Sequence, residues 1–467
     1  MNISQPRSWY FALSLIAPVC YGLITLHYVS GHEFIVQDDM RHHVVWFQQF
    51  IEPQVFQNDA IARYFRSVAP LGFTTVYRFG AWLGLDPLFL GQILPIPLAL
   101  VATVFIFQTT LAIVPVPLAA WLATLIFNQH LWLNDDLVSA TPRAFLYPLF
   151  AAFLYYTVRR SLLPMLLSIA LLGLFFPQMM LVAMMVLSLQ LVQWETPRHL
   201  SRDRRLWGFV GSGLLVAIAI AIPFALNLSE YGPSIPAEQM RSQLEYGLGG
   251  RNEYFGVNPI QFWLEGSSGL EFPIFPSIIW AGFTLPFLRN WHSATIRAIF
   301  PSVRILLDLT VASLILFFLA HLLLFRLYYP SRYTYHSWRF VLSIAAGIVL
   351  AALIEKGWNW WQQHRGRGFL PKIALGCSGL LAGVFIGVPL IPPLIIAFQG
   401  WVVGETPLLY TYLAQQPPQT IVASLAPEAD NIPAFAHRTT WVGREFALPH
   451  HPQYYETIAD RISQLLQ

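Results

Sequence analysis

Apolar runs long enough to cross a bilayer alternate with short polar loops along almost the whole chain. A spanning helix needs roughly 20 apolar residues, and about eleven stretches come close enough to qualify. They cover approximately residues 8–29, 88–113, 116–133, 142–158, 162–176, 178–193, 207–228, 274–289, 305–326, 337–354 and 373–397. The fifth, sixth and eighth are short and contain or abut proline, and a re-entrant pair there leaves every later loop on the same side. The first run lacks a small-residue cleavage site and reads as a retained span.

Between the runs the periodicity changes. Met40, Val44, Phe47 and Ile51 are spaced 4, 3 and 4, which draws one apolar helical face until Pro53 stops it. Asn58 is placed to cap a second helix through Ala60–Phe65, and Leu71–Leu83, with Arg78 and aromatics, reads as an interfacial helix or else a full span. From about residue 416 the pattern turns short and mixed: strands at 420–425 and 438–443, then an amphipathic helix marked by Tyr454, Ile458, Ile462 and Leu465. The chain is therefore expected to be an all-α polytopic membrane protein carrying a small α/β appendage, residues 416–467, that packs on the loops rather than holding a core alone.

Composition agrees: 11% of residues are charged, where soluble domains carry roughly 25%. The net charge of +3 gives no reason to expect a nucleic-acid partner. Cys20 and Cys377 both fall in apolar runs, which argues against a disulfide framework or a thiolate metal site. Orientation follows from basic residues in short loops. Arg159, Arg160, Arg198, Arg202, Arg204, Arg205, Arg289, Arg297, Arg304, Lys356, Arg365, Arg367 and Lys372 all fall on one side if the N-terminus is cytoplasmic. The C-terminus is then extracytoplasmic, and so are the loops 30–87, 134–141, 229–273 and 326–339. A bacterial-type inner or plasma membrane is the expected location.

The chemistry is concentrated in those outer loops. Asp38-Asp39 opens the first amphipathic helix, where one carboxylate is a good N-cap and two suggest a general base or a metal ligand. Asp38 with His42 and Asp39 with His43 are i, i+4 pairs that could share a divalent cation, magnesium or manganese by the carboxylates. Asn134-Asp135-Asp136 follows a span and is either a solvated turn or a second acidic motif. Arg143, where the next span begins, either snorkels, answers Asp136, or positions an anionic headgroup. Arg326, Arg332, His336 and Arg339, among tyrosines, form a basic-aromatic hairpin against the positive-inside trend. Diffuse lipid contact accounts for it, and so does a phosphate gripped by guanidinium forks. Asp308, inside a span one turn from Arg304, is either functional or an interfacial ion pair.

Two acidic outer loops over a membrane bundle resemble the GT-C superfamily of membrane glycosyltransferases. The resemblance rests on Asp38-Asp39 in a long first outer loop, Asp135-Asp136 after the third span, and the long loop 229–273 after the seventh. It implies a seven-span catalytic module over 1–228, variable spans over 274–415 and an outer tail. It also implies a sugar moved from a polyprenyl-phosphate carrier to a carbohydrate or lipid acceptor outside the cytoplasm. One Asp of the first pair would serve as base or acceptor-orienting group, and the Arg332 region would hold the carrier phosphate. The WWDYG motif of oligosaccharyltransferases is absent from the sequence, which points away from protein N-glycosylation. Two other classes fit the pattern less fully: a transporter or flippase, for which Asp308 is the main mid-membrane group, and a non-catalytic membrane assembly protein whose acids are caps.

Overall fold

The computed structural model describes the chain except residues 1–6, 194–199, 227–229, 233, 256–257, 291–293 and 365–369. The expected basic residues Arg198, Arg365 and Arg367 lie outside the described residues. Five helices among those described are long and apolar enough to cross a membrane: Arg7–Ser30, Pro87–Ile113, Arg204–Ile222, Val303–Leu322 and Ser331–His364. Shorter apolar helices, Pro117–Trp132, Pro142–Val158, Leu162–Phe175 and Pro177–Gln190, pack among them. The protein is helical and polytopic, with only short strands.

Helix α1 (Arg7–Ser30) lies beside Pro95–Ile113 and Pro117–Trp132. The Ser331–His364 helix packs along Pro117–Trp132 at very close range. A Cβ on Gly347 would sit 2.5 Å from the Ala123 backbone nitrogen, so only glycine lets the two backbones approach there. That contact lays the first turns of Ser331–His364 against the far end of Pro117–Trp132, where His130 and the second acidic pair are found. The 274–289 stretch forms a short 3₁₀ segment, Ser277–Asn290, with Pro286 inside it.

The first loop is structured as its periodicity predicts, with two changes. Strand β1 (Ile35–Gln37) runs into helix α2 (Asp38–His43), and a 3₁₀ turn, Val45–Phe50, replaces continuous helix. Met40, Val44 and Phe47 are buried as the 4, 3 spacing requires, and Ile51 is exposed. The cap of Ala60–Val68 is Asp59 rather than Asn58, because Asp59 immediately precedes the first helical residue and its Oδ1 accepts from the amides of Ile61 and Ala62. Leu71–Trp82 is a helix of 12 residues, too short to span, with Leu71, Phe79 and Trp82 exposed.

The tail forms a two-stranded parallel sheet of β3 (Ile421–Val422) and β4 (Thr439–Thr440) and a final helix, Pro452–Leu466, that buries Tyr454 and Ile458. It packs on the first loop as expected: the Tyr454 ring stacks on Tyr64 at 3.7 Å, and Phe446 meets Trp46 edge-on at 5.4 Å. Ahead of the tail, and not expected from sequence, strand β2 (Trp401–Val403) pairs antiparallel with β1 in the register Gln37 with Trp401. The chain leaving its last apolar segment thus returns to the residues directly before Asp38.

Candidate functional site

The two acidic pairs meet. Asp38 and Asp39 begin α2, after a turn fixed at both sides: Gln37 Oε1 accepts from the Asp39 amide at 2.8 Å, and the Asp38 amide donates to Gly400 O at 2.9 Å. Gly400 has φ +65°, a conformation that glycine adopts without steric cost, and a Cβ there would lie 3.8 Å from the Cβ atoms of both Asp38 and Asp135. Gln399, fully buried, bonds Thr25, the Trp132 carbonyl and Trp401 through its side chain, which fixes the returning strand against α1 and Pro117–Trp132.

Asp135-Asp136 opens a single helical turn, Asp135–Val138. Ser139 Oγ donates to Asp136 O at 2.8 Å and lies 2.9 Å from Thr141 Oγ1, and Ala140 takes a left-handed conformation, φ +48°. A non-glycine residue held there stores of order 1 kcal/mol. The turn is short enough that Pro142, at the first position of Pro142–Val158, sends Arg143 back over the acids.

Arg143 is the hub. Its guanidinium pairs with Asp39, lies 3.0 Å from Asp135 Oδ2 and lies 3.1 Å from Asp136 Oδ1. The opposite wall comes from Ser331–His364. Arg332, His336 and Arg339 follow at spacings of 4 and 3 and so share one helical face. They belong to the first turns of a long helix and not to a hairpin, because the helix begins at Ser331, before the apolar run does. Arg339 pairs with Asp136, donates through Nε to His130 Nε2 at 3.1 Å, and lies over the Tyr335 ring at 3.7 Å. Tyr147 donates to Asp136 Oδ2 at 2.9 Å and sits 3.2 Å from His336 Nδ1. Asp136 and His336 are 0% exposed and Arg339 1%, so this is a buried ionic network. Among the described residues Arg339 Nη2 and His336 Nε2 have no hydrogen-bond partner.

The environment drives the two acids of the second pair apart. Burial raises the Asp135 carboxyl above its ordinary range and the Asp136 charge adds to that, although 43% of the Asp135 side chain is exposed. Burial would raise Asp136 as well, but Arg339, then His336 and Arg332, hold it below the usual carboxylate range. Arg332 makes no ion pair or side-chain hydrogen bond among the described residues, yet its charge acts on Asp135, Asp136 and Glu271. Glu271, on the loop that ends at the 3₁₀ segment, is pushed upward by burial.

The remaining expected residues lie to one side. Asp38 pairs with Arg41 in the next turn of α2. His42 Nε2 is 3.1 Å from Glu445 Oε2 and 3.3 Å from Arg251 Nη2. His43 packs edge-on to Phe65, and burial, with His42 and Arg332, pushes it down to about 3. Arg326 is exposed, and no described contact ties it to the cluster. For a divalent cation the fit is poor: among the described residues no three His, Cys, Asp or Glu side chains converge as a ligand set. Tyr147, Tyr335, Glu271, Gln399 and Gly400 were not singled out by sequence; only a preference for buried polar residues near the acids would have raised the first two.

No protein-family model and no curated protein sequence matches the chain. Its fold is similar to that of an archaeal oligosaccharyltransferase, AglB from Archaeoglobus fulgidus, solved in complex with an inhibitory peptide and a dolichol-phosphate. The TM-score is 0.57 over 97% of this chain and 68% of that one, at 12% identity. The resemblance to the GT-C fold that the acidic loops suggested is thereby borne out at the level of architecture.

Proposed function

We propose that this protein is a membrane glycosyltransferase that moves a sugar from a polyprenyl-phosphate carrier to a carbohydrate or lipid acceptor on the extracytoplasmic side. The observation that carries the reading is the meeting of Asp39, Asp135 and Asp136 with Arg143, Arg332 and Arg339, drawn from three distant segments to one end of a membrane bundle. A buried charge network is costly to maintain, and packing alone would not select it. The fold shared with an oligosaccharyltransferase supports the reaction class.

In this reading the acceptor hydroxyl attacks the anomeric carbon as the bond from that carbon to the carrier phosphate oxygen breaks. The phosphate departs with the electron pair, and the hydroxyl proton passes to a carboxylate. Asp39, 24% exposed at its side chain and beside the second acidic pair on Arg143, is placed to orient the acceptor and take that proton. Asp135, 43% exposed at its side chain, is its neighbour in that role. Asp136 is buried and paired, and it positions Arg339. Arg332, without an ion-pair partner among the described residues, and Arg339, whose Nη2 has no hydrogen-bond partner among them, neutralise the departing phosphate, with His336 beside them. The side of the membrane follows from charge. Arg160, bonded to Gln190, and Arg304, bonded to Leu189 O, lie at the end of the bundle away from the acids, and basic loops favour the cytoplasm.

The test is binding of a short-chain polyprenyl phosphate to purified protein with Arg, Lys or Ala at 332. A two-pronged guanidinium contact loses its fork in Lys and its charge in Ala, so affinity is expected to fall in that order. Diffuse lipid contact, worth roughly 1 kcal/mol per basic residue, would leave Lys as good as Arg. Equal affinity for all three proteins would remove the carrier-phosphate assignment.

A further inference from the structure

Three carboxylates from two separate segments turn to a single guanidinium. Asp39 pairs with Arg143, while Asp135 Oδ2 and Asp136 Oδ1 lie 3.0 and 3.1 Å from its two terminal nitrogens. A ring of acids round one positive centre is what a divalent ion imposes on its ligands. Here the centre is a side chain, and among the described residues no three His, Cys, Asp or Glu side chains converge as a ligand set.

The placement of Arg143 is unfavourable on local grounds. It is the second residue of Pro142–Val158, and the N-terminal end of a helix dipole disfavours a cation. The acids must hold it there. A divalent ion entering the same space would meet that charge a few ångströms away, with the carboxylates already engaged.

The other flank points to an anion. Arg339 and His336 are 1% and 0% exposed, yet Arg339 Nη2 and His336 Nε2 have no hydrogen-bond partner among the described residues. A buried guanidinium nitrogen left unpaired is costly unless something accepts from it. We infer that Arg143 takes the place of a divalent cation in this cluster: the acids are neutralised from within, and the cluster receives a phosphate-type anion without a metal. For the anion this rests on the carrier-phosphate reading above; for the cation it does not.

The experiment titrates Mn²⁺ into the purified full-length protein and follows free Mn²⁺ by electron paramagnetic resonance. Wild type is expected to bind no stoichiometric Mn²⁺ at the cluster, and so is Arg143→Lys, which keeps the charge. Arg143→Ala is expected to gain a site at least about tenfold tighter than any in wild type, because its acids are left uncompensated. Adding Asp39→Asn to Arg143→Ala should remove that site. Stoichiometric Mn²⁺ binding by wild type that Asp39→Asn abolishes would overturn the inference, as would a folded Arg143→Ala protein that takes no Mn²⁺. If Arg143→Ala does not fold, the wild-type titration and its Asp39→Asn control decide. A second arm measures polyprenyl phosphate binding in EDTA and in Mn²⁺. Equal affinity supports the inference, and binding only with Mn²⁺ contradicts it. Binding in neither buffer contradicts the carrier-phosphate reading instead, and the Mn²⁺ titration still judges the role of Arg143.

Discussion

The bundle holds an arginine paired with a fully buried aspartate at each end, and the two are built differently. At one end Arg304 lies 3.3 Å from Asp308, four residues on along the same helix, and donates to Leu189 O at 2.8 Å and to Val192 O. Those carbonyls close the C-terminal end of Pro177–Gln190, and Gln190 donates to Asp308. One acid and one cation within the Ala294–Leu322 helix thus close the C-terminal end of a neighbouring helix, as a cap does. At the other end three acids face three arginines, the Arg339–Asp136 pair joins segments about 200 residues apart, and among the described residues Arg339 Nη2 and His336 Nε2 remain without hydrogen-bond partners. Helix capping accounts for the first arrangement. It does not account for the second. Arg304 Nε also lacks a hydrogen-bond partner but is ion-paired with Asp308. Among the described residues, by contrast, neither a hydrogen bond nor an ion pair reaches Arg339 Nη2 or His336 Nε2, the physical mark of a site that takes a ligand.

The difference predicts that damage at the two ends will separate stability from chemistry. The largest effect is expected at the centre of the site: Arg339→Met strands the fully buried Asp136 charge and should cost about 3–5 kcal/mol, seen as a large fall in Tm or loss of monodisperse protein. Asp39→Asn comes next. It should reduce sugar transfer by at least about a hundredfold while Tm falls little, because the amide still accepts from Arg143 and Asp135 and Asp136 still compensate that guanidinium. At the far end Asp308→Asn should do the reverse, lowering stability by about 1–3 kcal/mol and leaving transfer unchanged.

The smallest effect belongs to the tail. Glu445 is 2.8 Å from Arg251 and 3.1 Å from His42; burial alone would raise its carboxyl, but His42 first and Arg251 next hold it down to about 2. Its folded value lies below the ordinary 4.5, so its contribution is full above about pH 4.5 and is lost as pH falls toward 2. Amide protection of residues 438–458, taken relative to the unfolded chain at the same pH, should therefore fall over that interval in wild type, and Glu445→Gln should flatten the dependence. An unchanged slope in the variant would separate the tail from this contact.

Much of the site was legible because acids and guanidiniums beside apolar runs are rare and costly. Asp39, Asp135, Asp136, Arg143, Arg332, His336 and Arg339 all stood out for that reason, and the structure brings them together. Choosing between Asp38 and Asp39 was not possible from spacing, since both can start a helix; the choice falls to Asp39 because it joins the second acidic pair on Arg143, whereas Asp38 pairs with Arg41 in its own helix. The role of Gly400 was hidden as well. Strands of three residues carry no periodic signal, and nothing local ties Trp401 to Gln37, some 360 positions away in sequence. His42 and His43 were read as ligands from their i, i+4 spacing, but α2 turns His42 toward the tail and His43 toward Phe65, where burial decides their surroundings.

The central claim is that the acid-rich end performs sugar transfer and the far end does not. It is tested most directly by supplying purified protein with a radiolabelled polyprenyl-phosphate sugar and a membrane extract as acceptor source, and measuring release of the carrier phosphate with label transfer. Wild type and Asp308→Asn are expected to transfer at similar rates, and Asp39→Asn, equally well folded, to fall to background. Transfer by Asp39→Asn at the wild-type rate would contradict the account.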